Sequence, residues 1–335
     1  MTTIKDIARE SGYSTGTVSR ALNGSGGVSE KAIKRIMEVV DRYDFRLNEN
    51  AKFLKQRSLK GIAVLIKGTY NMLFASLTEL IQKRIEEAGY ECSIYYLSED
   101  DHEVTVAHRI ALERKPEAIL FLGCNLQYFK EGFSGIDIPC LMVTNDGSDL
   151  GYDNLSSVST DDRMAAEYII DYLVSRGHTR IGIVGGDPAT SAASDFRYQG
   201  CRRAFEKHGL SFDPSVQFEK GYFTLDEGYN GAARLFRKMP DVTAIFAMSD
   251  ITAIGVIRAA SDRGLRVPDD LSVIGFDGVD IADYLVPRLT TIRQNREVIV
   301  SKSLEILREM IRHDATSVHA MVPFTLISGN SVRQL

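Results

Sequence analysis

Residues 3–24 read TIKDIARESGYSTGTVSRALNG. Ile4, Ile7 and Ala8 fall at i, i+3 and i+4, which puts them on one face of a short helix. Gly12 follows, where a left-handed residue ends a helix and the missing Cβ removes the steric cost. Ser14 then stands where it caps a second helix, 15–22, that turns Val18, Ala21 and Leu22 inward. Two helices joined by a three-residue turn containing glycine give helix-turn-helix geometry. A third helix opens at Val28-Ser29-Glu30. Its predicted apolar stripe is Ile33, Ile36, Met37, Val40 and Tyr43.

The outward face of the second helix carries Thr15, Gly16, Thr17, Ser19 and Arg20. Short hydroxyls near a helix N-terminus donate to phosphates, which the helix dipole also favours. Arg20 is long enough to reach a guanine edge with two parallel hydrogen bonds. Charge agrees with this reading. Residues 1–60 hold 12 Lys and Arg against 7 Asp and Glu, while the other 275 hold 28 against 38. A basic head on an acidic body suits a small module that meets a polyanion, tethered to something that does not. Residues 46–60, RLNENAKFLKQRSLK, form the tether. Five of the fifteen are Lys or Arg, and a segment so short and charged does not hold a helix alone, because nucleation is costly.

From Gly61 onward short apolar runs alternate with amphipathic segments. The strand candidates are 61–66, 92–97, 118–122, 140–144, 180–186, 243–248 and 271–276, with a last strand-like segment at 318–327. Helical stretches include 73–88, 164–175, 198–208, 227–236 and 252–263. Such alternation predicts parallel sheets with helices on both faces. Two sets suggest two similar subdomains with a cleft between them, lined by the carboxyl ends of the strands. The fold class expected is therefore an all-α helix-turn-helix head joined to an α/β body of two subdomains.

The head resembles the N-terminal domain of the LacI/GalR (lactose/galactose repressor) transcription regulators. The resemblance is carried by residues 3–24, by Val28-Ser29-Glu30, and by Asn48, Ala51, Lys52 and Leu54. It implies that Thr15, Gly16 and Arg20 occupy the base-reading positions, with Ser14, Thr17, Ser19, Asn23 and Ser29 touching phosphate or supporting the docking. It also implies a hinge helix over about 48–56, with Asn48, Ala51 and Lys52 at the DNA and Leu54 wedged into the minor groove. Gly16 stands where many members carry a longer polar side chain, so Thr15 and Arg20 would bear more of the discrimination. Leu47 replaces the usual proline, and Lys52 often an arginine.

The body resembles the same family and the periplasmic sugar-binding proteins. The matching stretches are SRGHTRIGIVGG (175–186), FRYQG (196–200), the run 246–278 and PRLTTIRQ (287–294). By that resemblance Asp161, Arg197, Ser249, Asp250 and Asp277 fall at or beside the effector pocket, and Phe223 at the aromatic position that stacks on a sugar face. In the segment 70–74 only Asn71 and Phe74 match the family's pocket wall. Carboxylates and an arginine fork match adjacent sugar hydroxyls, and an aromatic plate covers the apolar ring face. Asp161 and Asp250 also stand where each can simply cap a helix. Arg197 and Asp277 are read as following strand ends.

Taken together, the expected organisation is a DNA-binding domain at 1–46, a hinge at 47–60 and an effector-binding and dimerisation domain at 61–335. Its N-subdomain is expected over about 61–158 and 290–318, its C-subdomain over about 159–289 and 319–335. The function expected is a cytoplasmic, homodimeric transcription regulator, a repressor of a carbohydrate-use operon. It would bind a pseudo-palindromic double-stranded operator and a small, sugar-like effector. The alternative is a cytoplasmic sugar sensor that binds no operator. An enzyme is not expected: there is no phosphate loop and no HExxH motif, and the six histidines are dispersed. Cys92, Cys124, Cys140 and Cys201 make no CxxC pair, so neither a metal nor a cofactor is expected. No apolar run approaches a membrane span, and the charged N-terminus lacks the apolar core of a secretory signal. The segment after 327 has no heptads, which favours a dimer over a tail-built tetramer.

Overall fold

The computed structural model describes residues 4–22, 27–43, 61–68, 71–313 and 316–335. The chain divides into two compact units, Met1–Leu59 and Lys60–Leu335. In the first, α1 (Ile4–Ser11), α2 (Thr15–Leu22) and α3 (Glu30–Arg42) enclose a core of Ile7, Ala8, Val18, Ile36, Val39 and Val40. Gly12 takes φ +79°, and its N–H bonds to Ala8 O at 3.1 Å. Ser14 Oγ accepts from Thr17 N at 3.1 Å, so it caps α2 as its position implied.

The stripe expected on α3 is corrected. Its buried residues are Ala32, Ile36, Val39 and Val40, whereas Ile33, Met37 and Tyr43 are exposed. Residues at i, i+4, i+7 and i+8 share one face. The small Ala32 completes that set, and a reading weighted toward large side chains passes over it.

The second unit is built on two six-stranded sheets. Strands β1 (Gly61–Lys67), β2 (Glu91–Leu97), β3 (Ala118–Leu122), β4 (Cys140–Val143), β5 (Leu155–Thr160) and β11 (His319–Val322) run parallel in the order β11-β5-β4-β3-β1-β2. Strands β6 (Ile181–Gly186), β7 (Phe218–Gly221), β8 (Ala244–Ala247), β9 (Ser272–Asp277), β10 (Thr290–Gln294) and β12 (Phe324–Ile327) form the other, in the order β12-β10-β9-β8-β6-β7. There only β12 is antiparallel, against β10.

Helices cover both faces of each sheet. α4 (Met72–Glu87) and α11 (Arg296–His313) pack on one side of the first sheet, and α5 (Glu103–Glu113) and α6 (Leu126–Gly132) on the other. α7 (Asp162–Ser175) and α8 (Ala192–Lys207) share one core against the second sheet, and α9 (Leu225–Lys238) and α10 (Asp250–Asp262) the opposite one. Parallel strands buried on both faces favour near-continuous apolar runs, and such runs mark β1, β3, β4 and β8 in the sequence.

The subdomain limits differ from those expected. The chain passes from one sheet to the other after β5, returns after β10, and leaves again between β11 and β12. Residues 290–294 therefore belong to the second sheet and 319–322 to the first. Pairing decides this: Thr290 faces Ile274 on β9, and His319 faces Ser157 on β5.

Helices α9 and α10 meet through Gly228 and Gly255. A Cβ at Gly255 would stand 2.6 Å from Tyr229 N, and one at Gly228 would stand 2.9 Å from Thr252 Cα. Backbone leaves no room to yield. Gly255→Ala is therefore expected to destabilise the body by about 1–3 kcal/mol through overpacking, read as a lower urea midpoint at unchanged slope.

Candidate functional site

On the head, Thr15, Gly16 and Arg20 are exposed and Thr17 is half-buried. Ser14 and Thr17 share a hydroxyl–hydroxyl bond of 2.9 Å, and Ser29 Oγ accepts from Ala32 N at 3.4 Å. These serines fix the helix ends that present the outward face. Arg20 Nε donates to Gly16 O at 3.4 Å, and among the described residues no carboxylate is paired with it. A Cβ at Gly16 would meet only Ser14 Oγ, at 3.8 Å, so packing does not require glycine there. The side chain of Ser19, and Asn23, Asn48, Ala51, Lys52 and Leu54, lie outside the described residues.

The body holds a cleft of about 1070 Å³, solvent at its mouth included, lined by residues from both sheets. Lys67, Asn125, Asn145, Asp187, Asp277 and Gln294 are among the lining residues that end strands or lie within three residues of their ends. A cleft beyond the carboxyl ends of parallel strands is where α/β sheets bind ligands.

Arg197 forms the floor on the second sheet's side. Its Nε donates to Asp162 Oδ1 at 2.8 Å, its Nη1 donates to Met248 O, and its Nη2 lies 3.8 Å from Asp277 Oδ1. The guanidinium sits 3.6 Å from the centroid of the Phe276 ring and 6.0 Å from that of Phe223, close enough for cation–π attraction. Gln294 Nε2 donates to Asp277 Oδ1 at 2.9 Å, and Thr160 Oγ1 donates to Gln294 Oε1 at 3.1 Å. Asp277 adopts φ +113° and Thr144, across the cleft, φ +74°. Such conformations cost about 1–3 kcal/mol each and gather at ligand sites. Burial pushes the Asp277 carboxyl up to about 6, against the opposing pull of Arg197 and the Gln294 hydrogen bond, with Asp162 adding to the rise.

On the first sheet's side, Lys67 Nζ donates to Glu103 Oε2 at 2.9 Å, both side chains being buried, and lies 4.8 Å from the centroid of the Tyr128 ring. Glu103 Oε1 accepts from Asn125 N at 2.6 Å. Asn145 Oδ1 accepts from Cys124 N at 3.0 Å, and burial raises the Cys124 thiol well above its ordinary value. That thiol is held neutral and unreactive. A hydrogen bond crosses the mouth: Tyr222 OH donates to Asp100 Oδ1 at 3.2 Å.

Of the expected effector residues, Asn71, Phe74, Arg197, Phe223, Ser249 and Asp277 line this cleft. Arg197 does so from the second turn of α8, not from a strand end, because that helix starts at Ala192. Asp161 and Asp250 do not line it. Asp161 Oδ1 accepts from Met164 N at 2.9 Å and caps α7. Asp250 is buried beneath the floor, accepting from Thr291 Oγ1 at 2.6 Å and Val279 N at 2.8 Å. Burial, then Asp277, hold its carboxyl well above the usual range. Sequence reading missed Lys67, Tyr128, Tyr222 and Gln294. A local signal existed for Lys67, the polar residue that ends the apolar run of β1, whereas Tyr128 lies within α6 and Tyr222 and Gln294 follow or end strands of mixed polarity.

Among the described residues, no helix is long and apolar enough to cross a membrane. A helix-turn-helix unit in one chain with a two-sheet ligand cleft defines a helix-turn-helix transcription regulator. Residues 3–48 match the model of bacterial regulatory proteins of the lacI family, and residues 170–332 that of the periplasmic binding protein-like domain. The chain is 32% identical over 335 residues to the HTH-type transcriptional regulator MalR of Clostridium butyricum, covering 98% of both. It is 32% identical to the HTH-type transcriptional regulator DegA of Bacillus subtilis, over 88% of this chain and 86% of that one. It shares its fold with the lac repressor dimer bound to operator and the anti-inducer ONPF (TM-score 0.73, 21% identity, 99% of both chains). The complex of the transcriptional regulator CelR with cellobiose is equally similar (TM-score 0.73, 22% identity, 99% of this chain and 100% of that one). The chain belongs to the lacI family of bacterial regulatory proteins.

The raised Asp277 acid sets a pH dependence. Above about 6 it is an anion that accepts hydroxyl hydrogens; below, it is protonated and loses acceptor capacity. The affinity of a hydroxyl-bearing ligand is expected to fall as pH drops through about 6, and Asp277→Asn to flatten that step, in isothermal titration across the range.

Proposed function

We propose that this chain is a sequence-specific operator-binding repressor of a carbohydrate-use operon, controlled by a sugar-like ligand in the cleft of its body. The observation that carries the reading is the exposed face of α2, where the Arg20 guanidinium meets no carboxylate among the described residues. An exposed arginine on a capped helix, with no carboxylate among the described residues paired to it, can approach a base edge, and the polar residues beside it can hold the phosphates. Thr15 and Gly16 are assigned with Arg20 to base reading, and Ser14, Thr17, Ser19, Asn23 and Ser29 to that docking. Asn48, Ala51, Lys52 and Leu54 are assigned to a hinge that orders on DNA, an assignment resting on sequence alone.

Two chains would place two recognition helices in successive major grooves of a pseudo-palindrome. Tyr284 and Val286, 84% and 95% exposed on the body, offer apolar surface to a second copy. The cleft sets the condition for binding. Ligand and operator change each other's affinity by one common factor. The protein would act in the cytoplasm, where the operator is, and the reading assigns the cleft no catalytic step.

Arg20→Ala is expected to cost about 1–3 kcal/mol on the operator and to relax preference at one base pair. Fluorescence anisotropy against single-base operator variants measures both; an equal loss on every sequence would contradict base reading. Wild-type affinity is also expected to fall steeply and linearly in log units with salt, as phosphate contacts release counterions. A flat salt response would count against DNA as the partner.

A further inference from the structure

The geometry points to an uncharged, hydroxyl-bearing ligand and to a cleft that rejects compounds carrying phosphate or carboxylate. This rests on the reading of the cleft as the ligand site given above and narrows its chemistry.

Among the described residues lining the cleft, the cations are Lys67 and Arg197, and both are already paired. Lys67 is taken by Glu103 at 2.9 Å, with side-chain exposures of 8% and 1%. Arg197 is taken by Asp162 at 2.8 Å, with exposures of 6% and 3%, and directs its remaining N–H groups toward Met248 O and Asp277. A ligand anion would have to displace a buried protein carboxylate, leaving that charge unpaired in a dry site. Nor is the surrounding field favourable. Glu99, Asp100, Asp187 and Asp277 line the cleft, with Glu103 and Asp162 directly behind it. One more cation, Lys220, lies at the rim and is held by Asp187 at 2.6 Å. Like charge at this range repels an incoming anion.

Helix N-termini at the cleft are the feature that would argue the other way, since their dipoles favour anions. At each of these three ends one of the unpaired N–H groups is already taken by the helix's own cap. Asn71 Oδ1 accepts from Leu73 N at 2.9 Å, Ser191 Oγ from Ser194 N at 3.3 Å and Ser249 Oγ from Thr252 N at 3.1 Å. What remains for a ligand is neutral chemistry. Phe74 stands on one side and Tyr222 and Phe223 on the other as aromatic walls, and the amides of Asn145 and Gln294 share the lining with the acidic residues. Rings with alternating apolar faces and hydroxyl edges fit that set.

The test uses the full-length chain in a thermal-shift and calorimetric panel of neutral monosaccharides and disaccharides, their phosphate monoesters, the corresponding uronic acids, and inorganic phosphate. At least one neutral sugar is expected to stabilise the protein, and its phosphorylated or carboxylated counterpart to bind at least about tenfold more weakly. An anionic compound that binds as well as its neutral parent overturns the inference, and so does a panel in which no neutral sugar binds. Glu103→Gln is expected to free Lys67 and improve the relative affinity of the phosphate monoester by about tenfold. Glu99→Gln, at the exposed rim, is expected to act in the same direction more weakly; no change of the ratio in either folded variant counts against the charge argument. Operator binding on the same preparation separates the two readings. If DNA binds and anions prevail, the ligand class is wrong; if no DNA binds, the regulatory reading fails and the ligand result stands.

Discussion

Arg197 is buried, and four elements depend on the way its guanidinium is paired. It leaves α8, engages α7 through Asp162, closes the end of β8 through Met248 O and faces the end of β9 at Asp277. Removing one partner from such a buried pair typically costs about 3–5 kcal/mol, because the other charge is stranded. The arrangement therefore fixes the relative placement of the second sheet and the helices on one of its faces. It also leaves Asp277 at the cleft in a backbone conformation that an unconstrained aspartate avoids. Fold stability and ligand recognition meet in one side chain, so neither can be varied there without the other.

The ionic pair on the opposite wall has the same construction. Lys67 ends β1, and Glu103 opens α5 and also receives the Asn125 N–H. Each sheet thus presents one cation already neutralised by a carboxylate from a neighbouring helix. Between them the Thr160–Gln294–Asp277 chain of hydrogen bonds runs from the end of β5 to the end of β9. Thr160 and Gln294 stand at two of the places where the backbone changes sheets. Asp277, which lines the cleft, is therefore joined through two hydrogen bonds to the strand ends where the chain crosses between the sheets.

Much of this was legible in the sequence because of burial. β1, β3, β4, β8 and β9 carry apolar side chains on both faces and announce themselves as unbroken runs. β5 is as buried as they are but reads LSSVST. Its serines are satisfied sideways, Ser156 Oγ by the Val318 N–H at 2.9 Å and Ser157 Oγ by His319 at 2.8 Å, and no periodicity reports such partners. The start of α8 was hidden for a related reason, since AASDFRY shows no clean apolar period. In the head, caps and the Gly12 stop were readable because they are local chemistry, while the orientation of α3 depended on which face its neighbours cover. The cleft residues lay between these cases. Arg197 and Asp277 could be placed by resemblance, whereas Lys67 and Gln294 gain their meaning from residues 36 and 17 positions away in the chain.

The Tyr222–Asp100 bond sits at the lip of the cleft and joins the loop after β7 to the loop after β2. Both side chains are exposed, so the bond competes with water and an entering solute can part it at little cost. In whatever fraction of molecules it holds the lips together, the apparent affinity falls by that fraction, even where every contact in the filled cavity stays the same.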